Sequence, residues 1–245
     1  MLFNIPLSAE KADRIIQLLS LSPNDHVLDA GCGNGAFLIR AIETAGVFGL
    51  GIDNNPESIA AARKNAADRI PDTTYEFQTA DIRKEALKDD SFDLAICLGA
   101  THAFGDGEAA FPNTIQRLSE LVRPGGQLLV GEGYWKQPPA LEYLHLIGNP
   151  VGIYHDHAAN IAFAEQHDLI PLYAIVSNED EWDHFEWSHR MRIEREAILY
   201  PDNPTMAEKL KRSRRWRDGY LRWGRSTMGF GFYLFLKPTS AAPSK

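Results

Sequence analysis

Two rhythms of apolar and polar positions alternate along this chain of 245 residues. From position 26 onward, short apolar and β-branched runs are separated by longer segments in which apolar residues recur at helical spacing. That alternation predicts an α/β fold, a parallel sheet assembled from βαβ units with helices on its faces. HVLDA (26–30), GVFGLGI (46–52), TYEFQT (74–79), FDLAIC (92–97) and QLLVGE (127–132) predict five strands in order. Asn55 followed by Pro56 predicts an N-cap and first helical residue, with Ile59, Ala62 and Ala66 on the buried face. Pro112 predicts the start of another helix carrying Ile115, Leu118 and Leu121, which RPGG (123–126) ends.

Beyond 132 the pattern changes. Residues 134–158 are rich in aromatics, His and Pro without a sustained period, which predicts a small cap inserted after the fifth strand. LIPLYAIVS (169–177) predicts another strand, 180–199 a long helix, and GFGFYLFLK (229–237) the last strand. The aromatic stripe of that helix, Trp182, Phe185 and Trp187, is expected in the core, with Glu186 left open. The final PTSAAPSK is expected to fray. The chain is thus expected to be one domain, 1–245: a ligand-binding core at about 10–132, cap and substrate-facing elements at 133–228, then the last strand.

Composition is that of an ordinary globular protein, with 44% hydrophobic and 24% charged residues. No apolar run approaches the ~18 residues of a membrane helix, and MLFNIPLSAEKADR lacks the layout of an export signal. A soluble, cytoplasmic protein with no membrane partner is expected. The two cysteines, Cys32 and Cys97, are too few for a disulfide framework. Charge is uneven: residues 1–204 hold 15 Lys and Arg against 31 Asp and Glu, net −16, whereas 205–245 hold 10 against 2, net +8. The acidic body disfavours a nucleic-acid footprint. KLKRSRRWRDGYLRWGR (209–225) interleaves cations with Trp216, Tyr220 and Trp223, which suits RNA stacking, but a helix with Leu210, Trp216 and Leu221 partly buried and its cations paired with the acidic body explains it better.

Chemistry concentrates in VLDAGCGNG (27–35), a strand running into a glycine turn and then a helix. Gly31 and Gly33 lack the Cβ that would keep a ligand from the backbone, and the helix start offers free N–H groups. Gly31, Gly33 and Ala36 also fit the dinucleotide pattern, so an NAD-linked oxidoreductase stays open. Asp53, in GIDNNP at the end of the second strand, can accept both hydroxyls of a ribose. In TADI (79–82), Asp81 can meet an exocyclic amine while Ile82 packs on a purine.

Taken in order, DAGCGNG, GIDNN, TADI, FDLAIC and RPGGQLLVGE resemble the motifs of class I S-adenosylmethionine-dependent methyltransferases across about residues 10–177. CLGATHAFG, GEGYW, WDHFEW and GFGFYLF further resemble a bacterial subgroup of small-molecule methyltransferases. The resemblance implies a Rossmann-like, doubly wound, mostly parallel seven-stranded sheet whose last strand is antiparallel. It implies S-adenosyl-L-methionine as cofactor, its methionine part held by Asp29, Gly31, Gly33 and Asn34, its ribose by Asp53 with Asn54, its adenine by Asp81 and Ile82, and Leu98 lining it through the backbone. Asp29 suits a cationic amino group and would repel a pyrophosphate. GATH (99–102) stands where enzymes that methylate amino groups of DNA bases or glutamine carry Asn/Asp-Pro-Pro-Tyr, which argues against those acceptors, while the subgroup resemblance implies a small-molecule acceptor.

For the acceptor side, His102 is the first candidate for a general base, against a loop histidine bonded to backbone. Glu132 is the second, against a capping or ion-pair role. Tyr134 and Trp135 are candidates to wall the acceptor, against plain packing. His155, Asp156 and His157 form a tempting cluster, but no third ligand follows from their spacing and methyl transfer needs no metal, so no metal site is expected. Cys32 needs only to be small beside a ligand. A nonenzymatic cofactor- or RNA-binding module is the remaining alternative, and the oligomeric state is not encoded legibly.

Overall fold

The computed structural model describes residues 2–148 and 151–239, so most of the tail expected to fray lies outside the described residues. Seven strands form a single sheet: β1 (His26–Ala30), β2 (Phe48–Asp53), β3 (Tyr75–Thr79), β4 (Phe92–Leu98), β5 (Val122–Trp135), β6 (Ile170–Val176) and β7 (Met228–Leu236). Their order is β3-β2-β1-β4-β5-β7-β6. Neighbours pair in parallel from β3 through β5, and β7 runs antiparallel between β5 and β6. The order reverses between β1 and β4, so the sheet has a topological switch point there, and open α/β folds bind ligands beyond the carboxyl ends of such strands.

Strand alternation sorts the core into two halves. Val27, Leu94, Ile96, Leu129 and Phe232 pack on one face under α1 (Ala9–Leu18), α2 (Ala36–Ala45) and α3 (Pro56–Ala66). Leu28, Ala95, Leu128, Val130 and Tyr233 pack on the other under α4 (Ala110–Leu121), after which come α5 (Leu141–Ile147) and α6 (His157–Gln166), the latter also on this face. The period of two in a strand causes this split. Burying each Ile or Leu in these clusters contributes about 1.5–3 kcal/mol before chain entropy is counted.

Several expected boundaries move. Pro112 sits inside the first turn of α4, which begins at Ala110. RPGG does not follow the helix as a separate stop: α4 already ends at Leu121, and residues 123–126 belong to β5, which pairs Val122 with Phe92 before a register shift. At Asn55 the expectation agrees with the structure, the side chain accepting from Glu57 N at 2.9 Å ahead of Pro56.

α5 follows β5, α6 packs against β6 and β7, and α7 (Glu179–Leu199) and α8 (Pro204–Gly219) pack as a hairpin. Their buried seam is polar. Trp182, Glu186 and Arg190 lie at i, i+4 and i+8, and Glu186 accepts from Arg190 Nη2 at 3.1 Å and from Trp216 Nε1 at 3.0 Å. Trp187, expected in the core, is instead 44% exposed, and Leu221 and Trp216 are exposed as well, while Tyr220 is buried and bonds Asp183. No helix among the described residues is long and apolar enough to cross a membrane.

Candidate functional site

The carboxyl ends of β1, β2 and β4, with the segment after β3, open into a cavity of about 590 Å3. Its floor is the turn between β1 and α2. Gly31 and Gly33 both hold left-handed φ, +76° and +54°, which favour glycine. A Cβ on Gly31 would overlap the Ala100 side chain, whereas a Cβ on Gly33 would meet nothing within 4 Å and would only occupy the cavity. Asp53 braces this turn from β2: its Oδ2 accepts from Gly33 N and its Oδ1 from Asn55 N, both at 2.9 Å. Each oxygen retains a second acceptor site for a ligand.

Asp29 is the most unusual group in the floor. It is 3% exposed and lines the cavity, and neither of its oxygens accepts a hydrogen bond from a described residue. Burial, with a smaller contribution from the Asp53 charge, pushes its pKa up to about 7. A desolvated carboxylate facing open space is a site for a cation that brings its own N–H donors. Cys32 lines the cavity beside it, its thiol pKa also raised chiefly by burial, so it stays a protonated packing group.

All of Asp29, Gly31, Gly33, Asn34, Asp53, Asn54, Asp81, Ile82 and Leu98 line this one cavity, as does His102. Two are less free than their positions suggest. Asp81 takes Arg83 Nε and Nη2 at 3.0 Å each and Arg83 N at 3.1 Å, which hold its carboxyl below the usual range. Asn34 accepts from Ala36 N at 3.2 Å, capping α2, and donates to Leu2 O at 3.0 Å.

Glu132, Tyr134 and Trp135 lie outside the cavity, contrary to the reading that put them against a substrate. Along β5, Glu132 shares the parity of Leu128 and Val130 and so faces the α4 side of the sheet. There its Oε2 accepts from the Thr101 hydroxyl and its Oε1 from Gly133 N at 2.8 Å. Burial outweighs these bonds and raises its pKa to about 7. Thr101 opens the short turn Thr101–Ala103 that carries His102, so Glu132 acts on the cavity wall from behind. Tyr134 packs against His157 with ring centroids 5.2 Å apart, and Trp135 packs edge-on against Tyr143 and Tyr154. Of the His155–His157 cluster, His155 O accepts from Trp135 N, Asp156 caps α6 and His157 bonds the Tyr233 hydroxyl at 3.1 Å.

Two further walls carry no signal in the sequence. Phe3, Asn4 and Ile5 line the cavity from a strap ahead of α1, and His189 and Arg192 line it from α7. The strap is fastened at both ends: Asn34 holds Leu2, and Ser177 Oγ donates to Pro6 O. Glu181 takes Ser8 N at 3.1 Å and Lys11 Nζ, and closes a capping box with Asn178.

Known proteins share this architecture. A solved S-adenosylmethionine-dependent methyltransferase from Geobacter sulfurreducens, in complex with S-adenosyl-L-homocysteine, superposes with a TM-score of 0.85 at 24% identity, covering 96% of this chain and 93% of that one, which establishes the common fold. The uncharacterized protein YjhP of Escherichia coli K12 is 25% identical over 94% of this chain and 92% of its own. The 27-O-demethylrifamycin SV methyltransferase of Amycolatopsis mediterranei is 30% identical over 52% of this chain, a match that spans 46% of that protein. The family described as "Methyltransferase domain" matches residues 21–194, from the start of the first βαβ unit into α7, a span that holds the glycine turn, the acidic strand ends and the first six strands, and the chain belongs to this methyltransferase family.

Proposed function

We propose that this chain moves a methyl group from S-adenosyl-L-methionine to an oxygen, nitrogen or carbon nucleophile of a small molecule by direct displacement. The observation that carries the reading is the unpartnered, buried Asp29 carboxylate beside the open Gly33 cradle, with Asp53 braced next to it. That floor fits an ammonium group and a ribose, and a negative charge at Asp29 is ill suited to the pyrophosphate of NAD. The cofactor supplies a methyl already activated on a sulfonium. The chain's work is therefore placement. Asp29 and the backbone at Gly31 and Gly33 hold the aminoacyl end, Asp53 with Asn54 the ribose, and Ile82 the base, with Leu98 lining the path. Asp81 serves the base only by sharing its oxygens with Arg83. His102 orients the acceptor or takes its proton. Glu132 positions the His102 turn through Thr101, and Tyr134 and Trp135 support the cap.

Calorimetric titration tests this reading. S-adenosylmethionine and S-adenosylhomocysteine are expected to bind the wild type while NAD does not, and Asp53→Ala is expected to weaken the first two by about tenfold or more, the loss of one or two charge-assisted hydrogen bonds. Binding of NAD alone would assign the cavity to hydride chemistry. Against RNA, four of the eight cations in the basic segment, Lys209, Arg214, Arg217 and Arg225, are engaged by Glu196, Glu194, Asp218 and Asp183.

A further inference from the structure

We propose that the methyl acceptor is an organic anion, its charged oxygens held at the cavity by Arg192 with His189 beside it on α7. The inference rests on the methyl-transfer reading and adds to it the chemical class of the acceptor.

Position, not pairing alone, singles out Arg192 in the hairpin: Arg195, Lys211, Arg212 and Arg215 are also without an ion pair to a described residue, but they do not line the cavity. Arg190 is bonded to Glu186 and Ser213 O, Arg214 to Glu194, Lys209 to Glu196, Arg217 to Asp218 and Arg225 to Asp183. Arg192 makes no hydrogen bond or ion pair with a described residue, yet it lines the cavity. Arg83, the other arginine there, is already neutralised by Asp81. His189 precedes Arg192 by three residues, on the same face of the helix, and its ring stands edge-on to Phe185 with centroids 5.4 Å apart, which fixes its direction. Burial, and then the Arg192 charge, lower the His189 pKa, so near neutrality it presents a neutral N–H donor next to a guanidinium fork. That pair matches the planar oxygens of a carboxylate or the oxygens of a phosphoryl group. The cavity's negative charge at Asp29 and Asp53 comes from the β1 and β2 ends, where the cofactor is assigned, whereas Arg192 and His189 come from α7. With those ends filled, the unneutralised cation left facing the remaining space is Arg192.

The test uses the full chain saturated with S-adenosylhomocysteine and titrated calorimetrically with benzoate, with inorganic phosphate and with neutral benzamide. Benzoate or phosphate is expected to bind and benzamide not, the choice between the two anions separating carboxylate from phosphoryl acceptors. Arg192→Gln is expected to weaken the anion by about tenfold or more, with partial rescue in Arg192→Lys, while Arg195→Gln, an exposed change on the same helix away from the cavity, leaves it unaltered. S-adenosylhomocysteine affinity is expected to stay within about twofold of wild type in Arg192→Gln. Equal anion binding by wild type and Arg192→Gln, or none by wild type, overturns the inference. A tenfold loss of S-adenosylhomocysteine affinity in Arg192→Gln also overturns it, because Arg192 would then hold the cofactor's own carboxylate. Failure of the wild type to bind S-adenosylhomocysteine at all would instead remove the methyl-transfer reading beneath it.

Discussion

Glu132 is a carboxylate placed where water does not reach, held by Thr101 and Gly133 yet with a pKa of about 7. Its proton is bound more tightly in the folded chain than in the unfolded one, so its contribution to stability is full below about pH 4.5 and is lost as the pH rises through 7. The loss is on the order of 3 kcal/mol for a group this buried. Glu132→Gln keeps the shape and cannot ionise. Thermal unfolding at pH 5 and pH 8 is expected to show the wild type losing stability relative to this variant at the higher pH; parallel behaviour of the two would mean that Glu132 is not the titrating group. The glycine turn, Asp29 and Asp53 were legible in the sequence because their spacing from a strand end dictates where they lie. Glu132 lies outside the cavity for a related reason: a strand's position is legible, but which face each residue takes depends on register against its neighbours, and at 132 that face is the α4 side, under the Thr101 turn.

The strands and most helices were also legible, since apolar runs and caps such as Asn55 act locally. α7 and α8 were not fully so: Trp182 joins the hydrophobic core as expected, but the contact between the helices is made by Glu186, Arg190 and Trp216 and leaves Trp187 outside. A polar seam has no hydrophobic period to detect. Burial raises the Glu186 pKa and lowers that of Arg190, both toward the uncharged form, so desolvation opposes the pair and hydrogen-bond geometry holds it. Removing one partner should therefore hurt far more than removing both. Glu186→Ala is expected to cost about 3–5 kcal/mol by stranding the buried Arg190, while Glu186→Leu with Arg190→Leu is expected to lie near the wild type in chemical denaturation. A double variant as damaged as the single one would show that the pair contributes net stability. The element matters for function because His189 and Arg192 reach the cavity only if α7 keeps its rotation against α8. The strap of residues 2–8 escaped sequence reading entirely, since its attachments to Asn34, Ser177 and Glu181 are all long-range.

Across the whole molecule, the basic last stretch folds back onto acidic α7, which explains how a net −16 body and a net +8 tail coexist in one chain. Asp29 is a buried carboxylate without a partner among the described residues, and it couples global stability to ligand binding. In the free protein its pKa of about 7 makes folding less favourable as the pH rises from about 4 to 7, the same sign as Glu132. An ammonium group bound at Asp29 needs the ionised form, so the affinity should move the other way, rising by up to about tenfold per pH unit below 7 and levelling off above it. The stabilisation given by a fixed concentration of S-adenosylhomocysteine is then expected to be larger at pH 8 than at pH 6, although the free protein is less stable at pH 8. Asp29→Asn should raise the stability of the free protein at pH 8, weaken the ligand and flatten its pH dependence, the exchange of stability for function expected where a site keeps an unsatisfied charge. Calorimetric affinities of wild type and Asp29→Asn at both pH values decide it: a pH dependence that survives in the variant would move the titrating group elsewhere in the cavity and leave Asp29 a structural carboxylate.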